Sequence, residues 1–139
     1  IELGLVGSEM CIRDRGKDFD SGIGFRCVLP KGKQLPDGYQ SEISDIRSGG
    51  IYDIGVGWMN PIDEETKINE FLDRTGTFFK PMAWNQIRVA CEGSRIRTWI
   101  NGQLCSDFED DKHKHGTIGL QHHAKEGVYR FRNLRIREI

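Results

Sequence analysis

The chain has 139 residues, of which 37% are hydrophobic, and 20 basic side chains face 21 acidic ones for a formal net charge of -1. That length supports one domain with a modest core. The balanced charge, with no basic stripe, argues against a nucleic-acid partner. No apolar run approaches the roughly 20 residues that span a bilayer, so membrane insertion is not expected.

The first segment reads unlike the rest. Val6-Gly7-Ser8-Glu9-Met10-Cys11-Ile12-Arg13-Asp14-Arg15 resembles a peptide that recurs at the ends of unrelated open reading frames, where it comes from translated sequencing adapter. Residues 1–16 are therefore expected to be a non-native leader that packs poorly or projects away from the fold, with 17–139 as the domain. A genuine strand or amphipathic leader is the alternative, but neither period is sustained here.

Short strands and turns follow. Ile23, Phe25, Cys27 and Leu29 alternate with Gly22, Gly24, Arg26 and Val28, which predicts a strand ending at Pro30. Tyr39, Ser41, Ile43 and Asp45 alternate with Gln40, Glu42 and Ser44 on a second strand, and Gly49-Gly50 leads into a short Ile51-Tyr52-Asp53 strand. Asn60-Pro61-Ile62-Asp63 has the grammar of a helix start, and Ile68, Phe71 and Leu72 recur at helical spacing, so one short helix is predicted. Residues 84–91 and 95–101 read as paired strands with Ile87, Val89, Cys91, Ile96, Thr98 and Ile100 packing, and Asn101-Gly102 signals a hairpin into 103–108. Strands at 117–123 and 128–139 complete the set. Many short strands with one helix predict an all-β sandwich.

Four cysteines, Cys11, Cys27, Cys91 and Cys105, show no paired spacing. Cys27 and Cys91 occupy small apolar strand positions and read as buried thiols; a Cys91 to Cys105 bridge across the Asn101-Gly102 hairpin is the other possibility.

Seven segments then occur in order: Ser21-Gly22-Ile23-Gly24-Phe25-Arg26, Gly38-Tyr39-Gln40-Ser41-Glu42-Ile43, Gly50-Ile51-Tyr52-Asp53, Trp84-Asn85, Trp99-Ile100-Asn101-Gly102, Ile118-Gly119-Leu120-Gln121 and Phe131-Arg132-Asn133-Leu134-Arg135-Ile136. Together they resemble the 3-keto-disaccharide hydrolase domain, a concanavalin A-like jelly roll, from about Asp20 onward. Members of that family carry further strands before the Ser-Gly-Ile segment, so the domain is expected to be incomplete at its N-terminus and poorly soluble or inactive alone. They also often show Asp-His-Gly after Gly-Leu-Gln, where this chain has His122-His123-Ala124.

The resemblance implies cleavage of glycosides oxidised at carbon 3, on an oligosaccharide or glycoside substrate, in the periplasm or outside the cell. A ketone there acidifies the carbon-2 hydrogen; a base removes it, the carbon-1 leaving group departs, and water adds back. Such a site needs a base, a group that holds the enolate oxygen, and a flat wall for the ring. A noncatalytic lectin-like module using the same face is the alternative.

Strand parity supplies the candidates, because side chains two apart share a face. Gln40 and Glu42 do so, as do Gln121 and His123. His123 is the expected base or acid, against a surface histidine at a strand end. Glu42 is the second, as base or metal ligand, against an exposed strand carboxylate. Arg26 is expected to hold the keto oxygen, against a simple ion pair with Glu42. Trp99, facing away from its packing neighbours, suits sugar stacking, against a second small core. Tyr52 and Asp53 suit hydroxyl binding, against an ordinary edge strand. No cofactor is assigned, and a divalent ion, which would suit the enolate, stays open. His113-Lys114-His115 lacks closed zinc spacing and reads as a solvated loop, and Glu109-Asp110-Asp111 lacks the ligand spacing and central glycine of a calcium loop.

Overall fold

A computed structural model describes residues 3–12, 19–123 and 128–138. Its elements run β1 (Leu3–Ile12), β2 (Asp20–Val28), β3 (Asp37–Ser44), β4 (Ile51–Asp53), β5 (Gly57–Asn60), α1 (Glu65–Thr75), β6 (Asn85–Glu92), β7 (Arg95–Ile100), β8 (Gln103–Glu109), β9 (Thr117–His122) and β10 (Tyr129–Glu138). Two antiparallel sheets form, ordered β10-β1-β6-β7-β8 and β5-β4-β3-β2-β9. The all-β sandwich with one short helix is as the sequence predicts.

Period-two alternation builds the core. Ile87, Val89, Cys91, Ile96 and Ile100 from the first sheet meet Ile23, Phe25, Tyr39, Ile43 and Ile51 from the second. Residues paired directly across strands share a face, so the pairings Ile23↔Ser41, Phe25↔Tyr39 and Ser41↔Ile51 assign the inward side of the second sheet. Its outward side follows from Gly22↔Glu42, Gly24↔Gln40, Gln40↔Tyr52 and Gly22↔Gln121. The two sheets are also tied by polar groups, for the Gly49 carbonyl accepts from Thr98 Oγ1 at 2.5 Å and from Ser106 Oγ at 2.8 Å.

The segment expected to project away does not do so where it is described. Residues 3–12 form β1 between β10 and β6, and Met10 is fully buried in the core. Two strand neighbours satisfy its backbone, and that outweighs its weak side-chain alternation. Residues 13–18 lie outside the described residues.

The helix begins later than predicted. Asn60 ends β5, the Asn60–Pro61 bond is cis, and α1 opens after Glu64, whose side chain makes no capping bond. Phe71 and Thr75 are its buried residues, and Arg74 donates to the carbonyls of Leu104 and Cys105 at 3.0 and 2.6 Å, fixing the helix to β8. The Asn101-Gly102 hairpin forms as predicted, with φ of 50° and 79°, the left-handed pair a two-residue turn between twisted strands requires.

None of the four cysteines is in a disulfide, and all are buried. The hairpin pairs β7 with β8, which leaves Cys91 on β6 and Cys105 on β8 with β7 between them. Two strand spacings, about 9–10 Å, exceed the reach of a bridge. Burial pushes the thiols of Cys27 and Cys105 up to about 11, so both stay protonated. Among the described residues no helix is long and apolar enough to cross a membrane.

Candidate functional site

The outward side of the second sheet carries a polar row that is unexpectedly covered. A carboxylate on that side would ordinarily be solvated, yet Glu42 is 6% exposed and Gln40 equally so. Gln40 Nε2 donates to Glu42 Oε2 at 2.9 Å and to Gln121 Oε1 at 2.8 Å, joining β3 to β9 across β2. The intervening position on β2 is Gly22, where a Cβ would stand 2.6 Å from Gln40 Cγ. Glycine leaves the space that the Gln40 amide fills where it lies across the strand.

Burial raises the Glu42 carboxyl to about 7, helped by the charge of Asp20 and opposed by hydrogen bonds from Gln40 and Ser44 and by the charge of Arg47. It therefore exchanges a proton near neutrality, a property shared by catalytic carboxylates and some structural ones. Gly22→Ala is expected to push the Gln40 amide aside, remove a donor that favours the ionised form, and raise the Glu42 pKa further. Carboxyl NMR titration of the variant reads this shift; an unchanged Glu42 would contradict the role given to Gln40.

The second wall comes from the β3 to β4 turn. Glu42 N donates to the Gly50 carbonyl at 2.9 Å and Gly49 N to the Glu42 carbonyl at 2.8 Å, so the turn is anchored on the backbone of Glu42 itself. It carries Arg47, whose side chain is 9% exposed and donates through Nη2 to Asp63 at 2.8 Å. Its guanidinium lies 4.1 Å above the Trp58 ring, and Trp58 meets Tyr52 edge-on at 5.2 Å. Arg47 Nε and Nη1 have no hydrogen-bond partner among the described residues. A cleft of about 260 Å³ opens here, lined by Asp20, Glu42, Arg47 and Trp58 among others.

Asp20 closes the row. Its carboxylate holds His123 Nδ1 at 2.8 Å, and the His123 amide donates to the Asp20 carbonyl at 3.3 Å. Fixing one ring nitrogen on a carboxylate leaves the other for chemistry. The loop after His123, including Ala124, lies outside the described residues.

Gln40, Glu42, Gln121, His123 and Tyr52 thus lie on one side of one sheet, and three other expected residues do not. Arg26 sits at a β-bulge, where the pairing shifts between Phe25 and Val28 and its φ is 50°. The bulge turns its side chain off the outward face, and it donates to the carbonyls of His113 and Gly93 at 3.1 and 2.8 Å. Asp53 has the parity opposite to Tyr52; buried at 1% exposure, it pairs with Lys112 at 2.6 Å and His113 at 2.9 Å. His113 is accordingly a loop anchor rather than a solvated residue. Trp99 lies on the outer side of the other sheet, between Arg88 at 4.6 Å and Arg97 at 5.3 Å. A guanidinium and an indole do stand on this side of the sheet, but they belong to Arg47 and Trp58, which sequence reasoning missed, as it missed Asp20. Among the described residues no group of three or more His, Cys, Asp or Glu is placed to hold a metal ion.

Comparison with known proteins follows the fold. The chain matches a candidate glycosyl hydrolase of Parabacteroides distasonis ATCC 8503 with a TM-score of 0.67 at 16% identity, over 100% of this chain and 79% of that one. A second candidate glycosyl hydrolase of the same organism gives 0.63 at 13% identity, over 99% and 72%. The carbohydrate binding module CBM66 of Bacillus subtilis gives 0.62 at 13% identity, over 99% and 76%. At such identities the likeness establishes a shared jelly-roll fold. No curated protein matches the sequence. The model of the 3-keto-alpha-glucoside-1,2-lyase-like domain matches residues 7–137, and the chain therefore belongs to that family.

Proposed function

We propose that this domain cleaves glycosides whose sugar bears a ketone at carbon 3, with Glu42 as the base. The observation that carries the reading is a buried carboxyl, poised at about 7, in the lining of an outward-facing cleft. Glu42 takes the carbon-2 proton; the electron pair passes through the enolate, forms the carbon-1 to carbon-2 double bond and expels the aglycone oxygen from carbon 1. A proton goes to the departing oxygen, and water adding at carbon 1 restores the 3-keto sugar, so the balance is hydrolysis without redox change. Negative charge gathers on the carbon-3 oxygen, and the positive charge of the Arg47 guanidinium beside the cleft stabilises it. His123, oriented by Asp20, supplies the proton to the leaving oxygen and later takes one from water. Trp58 and Tyr52 offer the ring wall, and Gln40 and Gln121 amides for hydroxyls.

The family supports a periplasmic or extracellular setting, with a glycoside as the ligand. The likeness to a carbohydrate binding module favours a second reading, in which the same face only binds glycan.

Turnover of a 3-ketoglucoside beside its unoxidised parent separates them. The 3-keto compound is expected to be cleaved and the parent left intact, because without the ketone the carbon-2 hydrogen is not acidic. His123→Ala is expected to lower turnover by about a hundredfold or more with glycan affinity kept. Binding without turnover would establish the module reading, and equal cleavage of both compounds would refute the elimination.

A further inference from the structure

Beyond Gln40 the outward face changes character. A second cavity of about 370 Å³ shares Gln40 and Gln121 with the polar row and continues away from Glu42 over β2 and β9. Its floor includes Gly24 and Gly119, which pair across the strands and present no side chain. Its walls are mostly hydrocarbon, from Leu29, Leu35, Pro36, Ile54 and Leu120, with Gln34 and Thr117 the polar side chains besides the two glutamines it shares. Leu29 and Leu35 are each 62% exposed and Leu120 is 42% exposed. Single exposed leucines are ordinary, but several converging on one trough beside a polar site mark a binding surface.

We infer that this trough is the aglycone subsite and that the preferred substrate carries an apolar, aryl-sized group on carbon 1 rather than a second sugar. The inference rests on the proposed reaction for the placement of the sugar. Gln40 and Glu42 are two residues apart on β3, about 7 Å along the strand, the scale of one pyranose ring. A sugar held between Glu42, Arg47 and Trp58 therefore directs its carbon-1 substituent over Gln40 into the trough. A second sugar would bury hydroxyls against the leucine, isoleucine and proline side of the trough, where no partner stands, which is costly. A phenyl ring loses nothing there and gains burial of its area. The volume suits one such group and excludes a helix or strand of a protein partner.

Calorimetric titration of the full chain with unoxidised phenyl glucoside and with cellobiose tests the subsite without relying on turnover. Phenyl glucoside is expected to bind at least tenfold more tightly. Leu29→Asp and Leu35→Asp, both at exposed loop positions that folding does not need, are expected to weaken phenyl glucoside about tenfold and to leave cellobiose within twofold. Equal affinities, no binding of either compound, or indifference to both variants would overturn the inference. The 3-keto forms of the same two compounds decide the reaction separately: if neither is cleaved, the proposed reaction falls, while the affinities still decide what the trough accepts.

Discussion

Glu42→Gln is expected to lower turnover of a 3-ketoglucoside by between about 10² and 10⁴ while making the fold more stable at pH 8. The amide keeps the size of the carboxyl and can still accept from Gln40, but it cannot take a proton from carbon. In the native chain kcat/KM should rise with pH through an apparent value near 7, since the base works only when ionised and burial holds it protonated below that. The same burial sets the sign of the stability effect. A carboxyl whose folded-state pKa lies above its ordinary value of 4.5 binds its proton more tightly in the fold, so its contribution is fully present below pH 4.5 and lost as pH rises to about 7. The interval corresponds to roughly 3 kcal/mol at most. The glutamine variant has nothing to ionise, so its melting temperature should exceed that of the native chain at pH 8 and converge with it near pH 4. A variant that retains full turnover would remove Glu42 as the base; one that loses turnover without gaining stability at pH 8 would mean that the carboxylate is better solvated than its burial implies.

Residue parity carried the sequence reading as far as regular strands go. Gln40 shares a face with Glu42, and Gln121 with His123, as parity predicts; β2, β3 and β9 keep register over those positions, and one glutamine amide joins the two pairs. Arg26 broke the same rule because one irregular pairing at the end of β2 redirects everything after it, and nothing in Gly24-Phe25-Arg26-Cys27 announces a bulge. Tyr52 and Asp53 could not both lie on the outward face, since neighbours on a strand point opposite ways; Asp53 lies inward against Lys112 and His113. Arg47 was invisible for a different reason. It lies on a turn, where no period applies, and its position depends on long-range contacts with Trp58 and Asp63. β5, four residues long, carries too little alternation to be read as a strand, and Trp58 went unnoticed with it. The helix start was misplaced because Asn60-Pro61 fits both an N-terminal cap and the end of an edge strand, and only the pairing of Ile51 with Asn60 decides between them.

Gly49→Ala is expected to cost at least about 3 kcal/mol and to abolish activity with it. Gly49 has a φ of 85°, a conformation that costs an alanine roughly 1–2 kcal/mol. Space makes it worse, because a Cβ there would lie 2.4 Å from Cys105 Cβ and 2.6 Å from its Sγ, atoms of a buried strand that cannot swing away. Relief requires moving the turn, and the turn is what holds the sandwich and the site together: the Gly49 carbonyl takes the Thr98 and Ser106 hydroxyls from the opposite sheet, and the Gly49 amide donates to Glu42. Each buried hydrogen bond given up adds on the order of 1 kcal/mol. Gly55→Ala provides the comparison, for Gly55 has a φ of 75° but nothing within 4 Å of its Cβ position. That variant should show the backbone cost alone and retain activity. Urea unfolding of the two variants separates the contributions. Equal losses would mean that the Cys105 contact and the inter-sheet bonds contribute nothing, whereas recovery of stability in Gly49→Ala combined with Cys105→Gly would assign the excess to that contact. The turn that positions Arg47 over the cleft is thus fixed from beneath by a small residue fitted against β8, so the geometry of the polar row depends on packing on the far side of the sheet.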